Sequence, residues 1–156
     1  METNCFLSLK NKSQNFFISI PDPENENSFI FVYLTNVGNN KINVDLVNNT
    51  PFIKLKINLN GNIVSMKDNS NYLNYDLLDS ISNECNNYLK MNFLKFLYKT
   101  SIDYSSDICD FGEYALSKFK TTKDFEEYNW LGNYKNSVFD VEINTSLDTS
   151  LLINQT

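Results

Sequence analysis

Residues 51–61 read PFIKLKINLNG. Ile53, Leu55, Ile57 and Leu59 alternate with Lys54, Lys56, Asn58 and Asn60, a period of two that puts every apolar side chain on one face of an extended strand. A strand with one oily face has to bury that face against another layer. Upstream the same alternation recurs: Ile42, Val44 and Leu46 against Asn43 and Asp45, then the apolar run Phe29–Thr35, then Phe16, Ile18 and Ile20. Turn formers separate these runs at Pro21–Asn27, Asn36–Asn40 and Asn48–Pro51. Asn60-Gly61-Asn62 reads as a turn or bulge before Ile63 and Met66. The first half of the chain is therefore a meander of strands.

From about Asn71 the period changes to three or four, with Leu78, Ile81, Cys85, Leu89, Phe93 and Phe96 on one stripe, which predicts a long helix ending near Thr100. A short helix follows Ser105-Ser106-Asp107, whose side chains suit the free N–H groups of a first turn. Thr121-Thr122-Lys123-Asp124 opens a third helix carrying Phe125, Tyr128 and Trp130. Val141, Ile143, Leu147, Leu151 and Ile153 then alternate with polar residues as a closing strand. The order predicts an α+β fold: an antiparallel, curved β-sheet packed around one long α-helix, with two short helices and a C-terminal strand returning to the sheet. Residues 15–156 form a single domain on this reading, and 1–14 are an N-terminal extension or a first edge strand.

The composition narrows the function. All 13 basic residues are lysine, there is no histidine, and 19 carboxylates leave a net charge of −6. This excludes Ser-His-Asp and Cys-His catalysis, histidine-ligated metals and the bidentate arginine fork. It also argues against nucleic acid, which needs a concentrated positive face. Four widely spaced glycines build no phosphate-cradling loop. Apolar runs such as Phe29–Leu34 are far short of the roughly 20 residues that cross a bilayer, and Met1–Cys5 has neither the basic nor the apolar region of a signal peptide.

Three cysteines, Cys5, Cys85 and Cys109, form no CxxC pair and read as buried thiols. Cys109 sits between Ile108 and Asp110, an acidic setting that disfavours a thiolate nucleophile. Asp103, Asp107, Asp110 and Glu113 are the densest carboxylates. A hydrolase pair or a calcium site is conceivable, but without EF-hand spacing their pattern fits helix capping better. Asp22, Glu24 and Glu26 read as a solvated acidic turn, and Trp130 with Phe125, Tyr128 and Tyr134 as packing for the short helices rather than a recognition patch. The N-x-S/T matches at Asn11, Asn48 and Asn144 carry no weight in a chain this rich in asparagine.

Ser106-Asp107-Ile108-Cys109-Asp110-Phe111-Gly112 at the end of a long helix, with Trp130 a short way before an alternating strand, resembles the C-terminal domain of the Ger(x)C family, the C subunit of bacterial spore germinant receptors. The family's Asp-hydrophobic-x-x-Phe-Gly motif corresponds to Asp107, Ile108, Phe111 and Gly112. Its Trp-containing helix corresponds to Trp130, and its last strand to Val141, Ile143, Leu147 and Ile153. The stretch 51–61 is similar to the strand before the family's long helix. Phe125 stands where the family has a second Trp, and Asn154, Gln155 and Thr156 replace its usual basic pair and Gly.

The resemblance implies a non-catalytic subunit domain with no cofactor and no metal, in a receptor at the outer face of the spore inner membrane. Its implied partners are the receptor's A and B membrane subunits. Family members are lipoproteins with two further domains, so membrane association is expected only through a lipid anchor missing from this chain. The motif itself has a structural explanation: Asp107 caps a helix, Phe111 plugs the core and Gly112 permits close backbone approach. The rival reading is a small-ligand-binding or enzymatic α+β domain with a pocket between long helix and sheet.

Overall fold

A computed structural model describes residues 1–12, 15–23, 25–65 and 75–148. Four strands follow one another as β1 (Asn15–Asp22), β2 (Asn25–Asn36), β3 (Lys41–Val47) and β4 (Thr50–Ser65), all paired antiparallel. The β3–β4 reversal is a two-residue turn in which Asn48 and Asn49 both take positive φ (50° and 64°), the geometry that matches strand twist and that asparagine tolerates. β4 is the spine of the sheet. Its first half pairs β3, its second half pairs β2, and its opposite edge takes β5 (Val138–Asp148).

Side-chain parity agrees across all five strands, so one face of the sheet is continuous core. Leu34 and Phe16 pair opposite each other, as do Ile53 and Val44, Leu55 and Val141, and Ile57 and Ile143, and each of these side chains is buried. The long helix α2 (Tyr75–Tyr98) lies on that face. Ile81, Cys85, Leu89, Phe93, Phe96 and Leu97 are buried along its stripe. Four interior asparagines (Asn83, Asn86, Asn87 and Asn92) each cost up to about 0.7 kcal/mol of helix propensity. Each buried Leu, Ile or Phe contributes about 1.5–3 kcal/mol, so packing on the sheet, not propensity, holds this helix. Asn86 also accepts the backbone N–H of Thr145 at 2.8 Å, fixing the helix to β5.

Several expectations need correction. β5 runs parallel to β4, from Phe52↔Val138 to Asn62↔Asp148, so the sheet is mixed; α2 and the short helices supply the crossover that a parallel neighbour requires. The N-terminal residues do not form the edge strand offered as one alternative for 1–14: Glu2–Leu9 form helix α1, which buries Cys5, Ser8 and Leu9. Asn60-Gly61-Asn62 is neither turn nor bulge: β4 runs straight through it. Gly61 faces the core, where a Cβ would come within 2.7 Å of Leu147 Cδ2 and 2.8 Å of Leu34 Cδ2. The predicted third helix is two, α4 (Thr122–Tyr128) and α5 (Trp130–Tyr134), because Asn129 between them turns left-handed (φ 53°). Met66, the first residues of the predicted long helix, and Leu151 and Ile153 lie outside the described residues.

Candidate functional site

After α2 the backbone widens into one π-helical turn, Lys99–Asp103, and Ser105 takes a positive φ of 46°. This redirects the chain into the segment 106–112. The next helix, α3 (Phe111–Ala115), starts four residues beyond Asp107, yet Asp107 still caps it from a distance. Oδ1 accepts the Phe111 N–H at 2.9 Å and Oδ2 accepts the Gly112 N–H at 2.7 Å. The residue next to the helix, Asp110, is left-handed (φ 61°) and makes no side-chain cap.

Trp130, at the start of α5, closes the arrangement. Its indole N–H donates to the same Oδ2 of Asp107 at 2.8 Å. The ring lies directly on Gly112, where a Cβ would stand 2.9 Å from Nε1 and 3.0 Å from Cδ1. Around the indole stack Phe125 (6.2 Å between centroids), Tyr128 (6.4 Å) and Tyr134 (5.9 Å). Phe111 is fully buried between Tyr134 and Phe139, both at 6.3 Å. Four of the five residues singled out by the motif, Asp107, Phe111, Gly112 and Trp130, therefore meet in one knot. Ile108 does not join it and stands 40% exposed.

The chemistry of this knot is structural. The half-buried Asp107 carboxylate spends three acceptor positions on backbone and indole donors. Cys109 beside it is buried, and burial, reinforced by the Asp107 charge, pushes its thiol up to about 12; Cys5 and Cys85 are raised to the same level by burial. Burial likewise raises Tyr134 above the usual tyrosine range. The other carboxylates of the acidic group diverge: Asp103, Asp110 and Glu113 are exposed, and Asp110 is ion-paired to Lys10, the residue that follows α1. No sequence signal joins residues 10 and 110, so this contact with α1 was invisible beforehand.

Among the described residues no group of His, Cys, Asp and Glu side chains is arranged to hold a metal ion, and no carboxylate or ammonium group is buried. The contact between α2 and the sheet is filled with Ile, Leu, Val and Phe. A groove of about 460 Å³ lies over β3, β4 and β5, lined by Lys41, Lys54, Lys56, Asp140 and Glu142, with Lys90 of α2 at its margin. Cross-strand pairing neutralises much of it: Lys56 holds Glu142 at 2.5 Å, and Lys54 stands opposite Asp140.

A sequence model of the family described as "Spore germination B3/ GerAC like, C-terminal" matches residues 1–150. Among solved structures the chain is similar to one reported as the crystal structure of the GerBC protein, with a TM-score of 0.78 at 13% identity. The match covers 94% of this chain and 44% of that one, so the present chain spans less than half of its length. At that identity the likeness shows a shared fold. No protein of curated function matches.

Proposed function

The chain belongs to the spore germination B3/GerAC-like C-terminal family, and from that premise we propose that it works as a non-catalytic, protein-binding domain of a germinant receptor. Family membership carries the role in spore germination; the mode of action is the proposal. The domain contacts the receptor's A and B membrane subunits at the outer face of the spore inner membrane. Among the described residues no helix is long and apolar enough to cross a membrane.

The observation that carries this reading is the closed hydrogen-bond set of Asp107. Asp107, Phe111, Gly112 and Trp130 are consumed in fastening α3 and α5 to each other through Asp107, which leaves the outer surfaces to do the binding. The test is dipicolinic acid release from spores lacking the gene, followed under a panel of amino-acid and sugar germinants. A defect confined to particular germinants is the expected result. Normal release under every germinant, in spores that also lack any paralogue, would overturn the receptor reading.

A further inference from the structure

Charge is unevenly spread over this chain. Overall 13 lysines face 19 carboxylates. In the groove over β3, β4 and β5 the balance is reversed: Lys41, Lys54, Lys56 and Lys90 line it together with only Asp140 and Glu142. The groove is therefore locally cationic on a molecule of net charge −6. Its volume of about 460 Å³ falls within the range of small-molecule sites, about 300–1,000 Å³.

Strand register sets two of these cations against each other. Lys41 stands directly opposite Lys56 in the β3–β4 pair, and like charges facing each other across strands are destabilising. Glu142 offsets Lys56: its Oε1 accepts Lys56 Nζ at 2.5 Å and Asn144 Nδ2 at 3.0 Å. Those hydrogen bonds, from Lys56 first and then Asn144, hold the carboxyl below the ordinary carboxylate value, and the charge of Lys41 contributes from across the sheet. Lys41 itself makes no ion pair or hydrogen bond among the described residues, nor does Lys90. Lys54 stands opposite Asp140, yet no ion pair joins the two among the described residues, and its Nζ lies 5.3 Å from the centroid of the Phe52 ring instead. Three ammonium groups thus share one groove with no carboxylate bound to them. A local rule broken without an internal remedy is the mark of a functional site, and the remedy that this groove lacks is an anion.

We propose that the groove over β3, β4 and β5 binds a small phosphate monoester dianion, held by Lys41 and Lys54 with Lys90 at the margin. The chain has no arginine, so the planar two-bond fork is absent, and lysines recognise their ligand as point charges, by charge density rather than shape. A dianion is therefore preferred over a single carboxylate. Asp140 and Glu142 turn away a run of phosphates, so the ligand is one compact group. A soluble phosphate ester and a phospholipid headgroup present the same chemistry. The site stands apart from the receptor reading above and does not depend on it.

The 156-residue chain, labelled with nitrogen-15, is titrated with inorganic phosphate at pH 8 and constant ionic strength and followed by its amide shifts. Saturable shifts centred on residues 41–43, 54–56 and 140–142 are expected, with acetate binding about fivefold more weakly. Lys41→Gln weakens phosphate binding about fivefold and Asp140→Asn tightens it about as much, because each changes one unit charge beside the anion. Both positions are exposed, and the spectra themselves show that each variant is folded. The gain in Asp140→Asn is the decisive arm, since a purely structural role for these side chains predicts none. Shifts that never saturate, or an affinity that neither variant alters, overturn the proposal. Vesicles of phosphatidylcholine and phosphatidic acid separate the two sources. Vesicle binding that Lys41→Gln abolishes upholds the site with a lipid headgroup as ligand; phosphate binding without vesicle binding upholds it with a soluble ester; vesicle binding that Lys41→Gln leaves intact, with no saturable phosphate shift, rejects it.

Discussion

Trp130 and Asp107, 23 residues apart, are joined by one hydrogen bond of 2.8 Å from the indole N–H to Oδ2, and through it α5 is fastened to the start of α3. The same oxygen takes the Gly112 N–H, and its twin takes that of Phe111. Hydrogen bonds to a charged acceptor contribute about 1.5–3 kcal/mol each, and stranding a half-buried donor costs more than removing both partners. Asp107→Ala strands three donors and is expected to destabilise by about 3 kcal/mol in urea unfolding. Asp107→Asn, which keeps one acceptor oxygen, loses about half as much. Trp130→Phe costs about 1–2 kcal/mol, and the double variant with Asp107→Ala shows a coupling of about 1 kcal/mol. Additive effects would show that the bond is idle.

Gly112 is constrained by space, not by its backbone angles. A methyl group there would sit 2.9 Å from Nε1 of Trp130, and the indole has Phe125 and Tyr134 at its other faces, so it has little room to retreat. Gly112→Ala is expected to cost about 1–3 kcal/mol, the range for overpacking, and to shift tryptophan fluorescence because the indole N–H leaves Asp107. As the chain's single Trp is the reporter, an unchanged emission spectrum with unchanged stability would contradict the contact.

The strands and the long helix were legible because each leaves a local mark, period two or period three to four, whereas Asp107, Phe111, Gly112 and Trp130 were singled out by the resemblance of their segments to a family pattern. What was not legible depends on neighbours distant in sequence. Alternation in β5 reveals its buried face but not its direction, since parallel and antiparallel strands share the same period. In α1 only Cys5, Ser8 and Leu9 are buried, too short a stripe to tell from a strand or tail, and the ties of Lys10 to Asp110 and of Glu2 to Lys99 bridge 100 and 97 residues. Asn60-Gly61 carries turn composition, yet Gly61 is there to clear Leu34 and Leu147. Ile108 fits the motif by spacing, whereas the left turn at Asp110 settles which side chains enter the core.

The three cysteines offer a chemical test of the packing. Burial pushes all three thiols to about 12, so at pH 8 only about one in 10⁴ is thiolate, and each is shielded sterically as well. Native protein is expected to resist iodoacetamide over hours, with all three positions alkylated in denaturant. Rapid native labelling of Cys109 would show that the 106–112 segment opens readily.

α1 is held to the end of α2 by an exposed ion pair, Lys99 Nζ to Glu2 Oε1 at 2.9 Å, and its docking should follow pH accordingly. The hydrogen bond from Lys99, with its charge, holds Glu2 below the ordinary carboxylate value, and the hydrogen bond to Glu2 holds Lys99 above the ordinary amine value. A carboxylate with a depressed folded pKa contributes stability that is complete above its unfolded value and is lost as pH falls through the folded one. A lysine with a raised pKa contributes stability that is complete below its unfolded value and is lost as pH rises through the folded one. The tether therefore operates across neutral pH, is lost as pH falls below the ordinary carboxylate range and is lost again as pH rises above the ordinary lysine range. Solvent and salt screen so exposed a pair, so the response is confined to α1 and is not global. Hydrogen-exchange protection factors of the α1 amides, taken relative to those of α2, should fall at pH 3 and flatten in Glu2→Gln. The same relative loss in Glu2→Gln as in the unaltered chain would mean that α1 is held by Cys5 and Leu9 alone.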